Sequence, residues 1–271
     1  MFVILTKKNI FVIILAILVV IATTFALKTF LSAKQNENWG LSFQIKGEPP
    51  SGNATAEDLK KYNAYYISDT SKKKIYITFD AGYEAGYTPK ILEALKKHNV
   101  KATFFVVGKN VDSYPEIVKR AYDEGHFIAN HGYDHNNKNL YKNDESFLNE
   151  IEKTDIAIGN AIDIPNYCSH IFRFPTGFKS PNNKKKKEHA AQLLKGIGYT
   201  YIYWNCLNND SVKKYSSQQL FNNLKKSCKN KNTLVILMHD TKYVSDSSKV
   251  LKQSIDYLRE NGYCFKNFYD I

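Results

Sequence analysis

From Lys74 to the C-terminus the sequence alternates between two periods, and this most constrains the fold. "KIYITFD", "ATFFVVG", "HFIANH", "IFRFP", "YTYIYW", "TLVILMH" and "YCFKNF" are short runs rich in β-branched and aromatic residues. Between them lie six amphipathic segments, beginning with "YTPKILEALKKHN" and ending with "SSKVLKQSIDYLRENG". Seven strands alternating with six helices imply a parallel sheet covered on both faces. Closed on itself, such a sheet is an irregular barrel; left open, it is a doubly wound sheet. No strand is followed by GxGxxG or GxxxxGK[ST], so nucleotide binding has no support.

Rare polar residues stand at the C-terminal ends of these strands. Asp80 ends the first, His131 follows the third, Arg173 lies in the fourth and His239 ends the sixth; Asp210 comes shortly after the fifth. One such residue is ordinarily a cap or a solvated edge. Five on one rim of a parallel barrel mark the face where βα loops converge and active sites are built. His131 and His135, within "NHGYDH", are four residues apart, a spacing that lets two imidazoles share a face and hold a divalent metal. His98 and His189 lie on helix faces and read as solvated, while His126 opens a strand at the opposite rim and His170 precedes one. Together, a carboxylate, a histidine, a guanidinium and a metal suit hydrolysis by activated water. No serine or cysteine sits in a nucleophile elbow.

The rest of the chain bears on location. "NIFVIILAILVVIATTFAL", Asn9 to Leu27, is uncharged and long enough for a membrane span, with Lys7 and Lys8 before it. The favoured reading is an anchor within residues 1–33, with a linker and lead-in over 34–73 and the catalytic domain over 74–271. A cleaved signal peptide ending near "TFA" is the rival, and both export the domain. The net charge of +12 suits an anionic polymer, though a lysine-rich composition also reads as plain solvated surface; the lysines are spread out, apart from "KKKK" at Lys184–Lys187. No arginine-rich patch with interleaved aromatics appears, so nucleic acid is disfavoured. Cys168, Cys206, Cys228 and Cys264 allow three pairings, and the sequence does not choose among them.

The ordered motifs resemble the polysaccharide deacetylases of carbohydrate esterase family 4, the NodB-homology group. "TFDAG", "HGYDH", "RFPTG", "YWNCLNND" and "LMH" fall in that family's motif order. The lead-in "GEPPSGNATAEDLKKYNAYY" is similar to the peptidoglycan N-acetylmuramic acid deacetylases of spore-forming bacteria, whereas "IFRFPTG" and "YWNCLNNDS" look more like the general polysaccharide branch. The resemblance implies an irregular (β/α)7 barrel and removal of N-acetyl groups from a cell-wall amino sugar. It implies Asp80 as general base, His239 as general acid, Arg173 orienting Asp80, and Asp210 tuning His239. It also implies the backbone N–H of Thr176 in an oxyanion hole, and His131 and His135 as ligands to a divalent metal, zinc ahead of cobalt or manganese. The expected partners are a cell-wall polysaccharide and, through the N-terminal run, the membrane; the chain is expected to act as a monomer. The sequence departs from the family at Ala81, where the family carries its third metal ligand, an aspartate; a methyl cannot coordinate. Glu84 is close in sequence and is a candidate substitute, though not the favoured reading. O-acetyl esterase action on a polysaccharide and an inactive carbohydrate-binding homologue stay open as alternatives.

Overall fold

A computed structural model of the chain describes residues 73–82, 86–240 and 247–270. The membrane-length run, the linker and Glu84 lie outside the described residues, and among those described no helix is long and apolar enough to cross a membrane. Eight parallel strands form one sheet. They are β1 (Lys74–Ala81), β2 (Thr103–Val106), β3 (Phe127–Asn130), β4 (Ile171–Phe172), β5 (Thr200–Tyr201), β6 (Cys206–Leu207), β7 (Thr233–His239) and β8 (Cys264–Lys266). The order across the sheet is β5-β4-β3-β2-β1-β7-β6. β8 pairs with Lys74–Tyr76 at the start of β1, and β2 pairs with Thr78–Ala81 farther along it.

The helices connecting the strands are α1 (Thr88–Lys97), α2 (Gly108–Ser113), α3 (Pro115–Asp123), α4 (Asn137–Leu140), α5 (Asp144–Ala161), α6 (Lys184–Gly196), α7 (Ser217–Cys228) and α8 (Ser247–Glu260). The short α2 and α4 were not expected from periodicity, because one or two turns carry too little pattern to show. The other six match the amphipathic segments. Several boundaries follow local chemistry: Pro89 and Pro115 stand in first turns, where no N–H is needed. Asn143 and Ser216 accept hydrogen bonds from first-turn N–H groups of α5 and α7.

Strand alternation sorts the core into two layers. Ile75, Ile77 and Phe79 of β1 join Phe104, Val106, Leu234, Ile236 and Met238 against the helices α1, α3, α7 and α8. The alternate residues, Tyr76, Phe105, Phe127, Ala129, Val235 and Leu237, pack on the inner face. Phe268, in a 3₁₀ turn after β8, stacks on Tyr76 at 5.2 Å and fills the lower end of that interior.

The expected irregular seven-stranded barrel is found in a coarser form, a curled sheet of parallel strands that stays open. "YTYIYW" is not one strand: β5 ends at Tyr201, and the two-residue β6 begins at Cys206 on the opposite edge of the sheet. Residues 202–205 cross between these edges. The Ile202 N–H still bonds the Phe172 carbonyl at 2.8 Å, whereas the Asn205 N–H bonds that of Val235 at 3.1 Å. The Asn205 side chain then imitates a strand neighbour, accepting from the Val235 N–H at 2.9 Å and donating to the Thr233 carbonyl at 2.9 Å. The sheet is therefore curled and open, with Tyr203 and Trp204 in the seam, their rings stacked at 4.2 Å.

A disulfide joins Cys206 of β6 to Cys228 at the end of α7, and Cys168 and Cys264 are free and exposed. A bridge across 22 residues removes loop entropy from the unfolded chain. Replacing both Cys206 and Cys228 by Ala is expected to lower unfolding free energy by about 3 kcal/mol. Urea melts of the two proteins under non-reducing conditions check this, and equal midpoints would count against it.

Candidate active site

The sheet register places the principal groups. Asp80 and His239 are direct partners in the β1–β7 ladder. In a parallel pair, partners project to the same face, so both side chains rise from the inner face at the C-terminal rim. The inner column of β1 reads Tyr76, Thr78, Asp80, and its two upper residues are polar.

Arg173 follows β4 directly, and its N–H bonds the Asn130 carbonyl at 3.0 Å. The side chain is 1% exposed and crosses the interior toward β1. Nη1 donates to Asp80 Oδ1 at 2.8 Å and to Thr78 Oγ1 at 2.7 Å. Thr78 in turn donates to the Ile236 carbonyl of β7 at 2.6 Å, and Nε reaches the Ile202 carbonyl at 3.3 Å. The guanidinium carbon sits 3.9 Å from the Phe105 ring centroid. A planar cation stacked on an aromatic face and bonded at its edges has one orientation, and Asp80 takes its orientation from it.

Burial pushes the Asp80 carboxyl up, but Arg173, His131 and His239 together hold it below the usual carboxylate range. His131 is buried, its Nδ1 2.8 Å from the Arg173 carbonyl and its Nε2 3.6 Å from Asp80 Oδ2. Burial outweighs the pull of Asp80 and lowers its pKa to about 4, so the ring is neutral at ordinary pH. With the Nδ1 proton given to a carbonyl, the Nε2 lone pair faces the cleft, as a metal ligand requires. His135 lies beside it, the ring centroids 5.1 Å apart.

At the other side, His239 Nδ1 is 2.8 Å from Asp210 Oδ1, and the His239 backbone N–H bonds Asp210 Oδ2 at 2.8 Å. Burial lowers the imidazole's pKa, yet the Asp210 hydrogen bond and charge win and raise it above the ordinary value. Thr176 occupies the turn after Arg173 with φ +62°, followed by Gly177 at φ +79°. A Cβ on Gly177 would lie 2.7 Å from the Trp204 ring, so the turn packs backbone-to-indole.

All seven residues singled out from the sequence are thus positioned by elements meeting at one rim. The remaining histidines stay out of the cleft. His126 is fully buried, His189 is exposed beside Asp144, and His98 is half-buried at the end of α1 rather than solvated.

The chain matches the polysaccharide deacetylase family over residues 67–202. Peptidoglycan-N-acetylmuramic acid deacetylase PdaA of Bacillus subtilis is 31% identical over 242 residues, covering 86% of this chain and 85% of that protein. The chain belongs to the polysaccharide deacetylase family. The solved PdaA structure superposes with a TM-score of 0.69 at 30% identity, over 86% of this chain and 95% of that one. A peptidoglycan-N-acetylglucosamine deacetylase of Bacillus cereus is 32% identical over 207 residues, or 75% of this chain and 70% of the relative. A pseudoenzyme of carbohydrate esterase family 4 from Bacillus anthracis superposes at 0.65 with 25% identity, over 79% of this chain and 70% of that one.

The resemblance to this deacetylase family implies a metal. Among the described residues no group of three or more His, Cys, Asp or Glu side chains is arranged to hold an ion. Ala81 packs with the helix-facing cluster, on the side of β1 away from Asp80. The neutral, correctly tautomerised His131 and the adjacent His135 fit a cation as a two-imidazole donor set, leaving its other positions to water or substrate.

Reading the sequence did not find three supporting residues. Thr78 joins Arg173 to β7; its signal was a lone hydroxyl inside an apolar strand. Glu150 of α5 accepts from the N–H groups of Tyr133 and Asp134 at 2.8 and 3.1 Å, pinning the turn between the two histidines. Asn130 accepts from the Gly132 N–H at 3.0 Å and donates to the Ile151 carbonyl and Asp155. Neither Glu150 nor Asn130 differs in sequence from a solvated helix acid or a strand-end amide.

The Asp80–Arg173 pair yields a pH-dependent prediction. Asp80's folded pKa lies below its unfolded value, so its contribution is present above about pH 4 and fades as pH falls through the folded pKa. Arg173→Met leaves Asp80 buried and unpaired, and is expected to cost about 3–5 kcal/mol at pH 7. The deficit relative to wild type should shrink toward pH 3, as the orphaned carboxyl protonates first. Chemical denaturation at the two pH values measures it; a deficit independent of pH would contradict the pairing.

Proposed function

We propose that the protein is an exported peptidoglycan N-deacetylase that hydrolyses the acetamido group of a wall amino sugar to acetate and a free amine. The observation that carries this reading is the ladder pairing of Asp80 with His239. Each of the two is tied to a partner of opposite charge, Arg173 and Asp210. These ties drive their pKa values in opposite directions, the base low and the acid high, which separates the two proton-transfer roles. Membership of the family and similarity to relatives named for both N-acetylmuramic acid and N-acetylglucosamine support a peptidoglycan amino sugar as substrate.

The residues divide the work as follows. Asp80, ionised and aimed by Arg173, takes the proton of the attacking water as the C–O bond forms. The Thr176 backbone N–H meets the oxyanion that develops on the acetyl carbonyl; a preorganised donor of this kind typically contributes about 3 kcal/mol. His239, cationic through its bond to Asp210, gives its proton to the departing nitrogen as the C–N bond breaks. Asp210 then stabilises the protonated ring for the next cycle. His131 and His135 are the residues that would hold a divalent cation, zinc ahead of cobalt or manganese. Bound there, such a cation supplies Lewis-acid polarisation and acidifies water.

The net charge of +12 favours an anionic wall, and the apolar N-terminal run serves as membrane anchor or export signal for a monomeric domain. The presence of base, acid and arginine favours an enzyme over an inactive binder despite the alanine at position 81.

Mass spectrometry of peptidoglycan fragments after incubation tests the reading. Loss of acetyl groups from the amino sugars, with acetate released, is expected. Asp80→Asn should reduce turnover by a factor of about 10³ or more, while the protein stays folded by circular dichroism. Unchanged turnover would remove Asp80 from its role. A metal titration followed by calorimetry should find a single weak zinc site, lost in both His131→Ala and His135→Ala. Wild-type affinity in either variant would place the metal elsewhere.

A further inference from the structure

Lys187 is the last of four consecutive lysines, and it behaves unlike the others. Lys184, Lys185 and Lys186 are exposed, whereas Lys187, in the first turn of α6, is 0% exposed. Its Nζ donates to the Gly177 carbonyl at 2.6 Å and lies 3.5 Å from Thr176 Oγ1. Asn137 Nδ2 approaches the same hydroxyl at 3.5 Å from α4. Among the described residues no carboxylate pairs with the ammonium, and burial alone lowers its pKa to about 8.

A buried ammonium with only neutral acceptors is a costly placement, and a methionine would fill the space without that cost. The location of the charge gives it a reason. Thr176 and Gly177 are both left-handed, and Thr rarely adopts that conformation without restraint. The turn is bonded within itself, Gly177 N–H to the Phe174 carbonyl at 2.8 Å, and it packs on Trp204. Lys187 is the one charged group bonded to it among the described residues, and it approaches from α6, beneath the loop.

We propose that Lys187 is a positioning residue for the reaction: its ammonium fixes the Thr176–Gly177 turn in the conformation that presents the Thr176 N–H, and lends positive potential to the oxyanion formed there. This rests on the deacetylase reading given above. A cation uncompensated in the resting enzyme gains its partner only as negative charge develops, so its effect is selective for the transition state. The N-acetylated sugar itself, being neutral at the acetyl group, gains little from it.

The test uses the full-length chain in detergent, with N-acetylated peptidoglycan fragments as substrate and acetate release as the readout. Lys187→Met should lower kcat by about 10- to 100-fold with KM within about twofold. Lys187→Gln, which keeps a polar end but no charge, should behave alike, and Lys187→Arg should recover a substantial part of kcat. Melting temperatures of all variants are taken in parallel, with assays run well below them. A purely structural lysine would lower the melting temperature and leave kcat of the folded variants unchanged; kcat within threefold of wild type for Lys187→Met or Lys187→Gln overturns the proposal. Wild-type protein that releases no acetate overturns the deacetylase reading and this proposal with it. Wild-type release matched by both variants overturns this proposal alone.

Discussion

The buried guanidinium of Arg173 is the interaction on which the rest of the site depends. It is among the largest fully buried side chains of the described residues, and it carries a charge. Burying it costs several kcal/mol unless its donors are met. Asp80 and Thr78 on β1 meet Nη1 and the Ile202 carbonyl in the seam beyond β5 meets Nε, whereas Nη2 is buried without a hydrogen-bond partner among the described residues. The pair therefore links opposite sides of a curled sheet through its interior. It also couples two needs: the carboxylate proposed as the base must be ionised, and the interior must be electrically balanced. Either charge alone would be costly there.

That arrangement depends on the sheet remaining open. A fully paired barrel would fill its interior with layers of side chains from alternate strands. Here residues 202–205 leave β4 and join β7 without a helix, so Tyr203 and Trp204 occupy the seam as packing rather than ladder. The indole then backs the Gly177 turn and lies 5.7 Å from the guanidinium carbon. The irregularity that breaks the barrel thus supplies one wall of the cleft. Asn205, with its side chain in place of a missing strand neighbour, satisfies the backbone groups that the break exposes.

The strands and the six longer helices were legible because buried parallel strands and amphipathic helices leave strong periodic traces. The rim residues were legible because polar groups ending apolar runs are rare. The division of "YTYIYW" was not, since an aromatic run fits a strand and a packed seam equally well. Lys187 was hidden for the opposite reason: four lysines in a row carry no periodic signal, and only the helix phase decides which turns inward. Glu150 and Asn130 act by accepting backbone N–H groups of the His131–His135 turn, and such bonds depend on chain path, not residue pattern. For Ala81 the sequence showed only that a ligand type is missing. The structure adds that its methyl belongs to the helix-facing layer, continuous with Ile75, Ile77 and Phe79.

A final consequence concerns how proton transfer can work. A carboxylate held below its ordinary pKa is a weak base toward free water. As the proposed base, Asp80 would accept a proton more readily once the water is acidified, as it is while its oxygen bonds to the carbonyl carbon. Proton transfer and attack are therefore coupled, and whatever stabilises the oxyanion also assists the base. His239 faces the complementary problem. With its pKa raised by Asp210, it would, as the proposed acid, be reluctant toward an amide nitrogen but competent toward the far more basic nitrogen of the tetrahedral intermediate. In the proposed reaction the two shifts tie proton movement to the tetrahedral carbon, that of Asp80 during its formation and that of His239 after it. On the proposed roles, the tuning of the two groups favours addition before expulsion and leaves much of the catalytic burden to the groups surrounding the oxyanion.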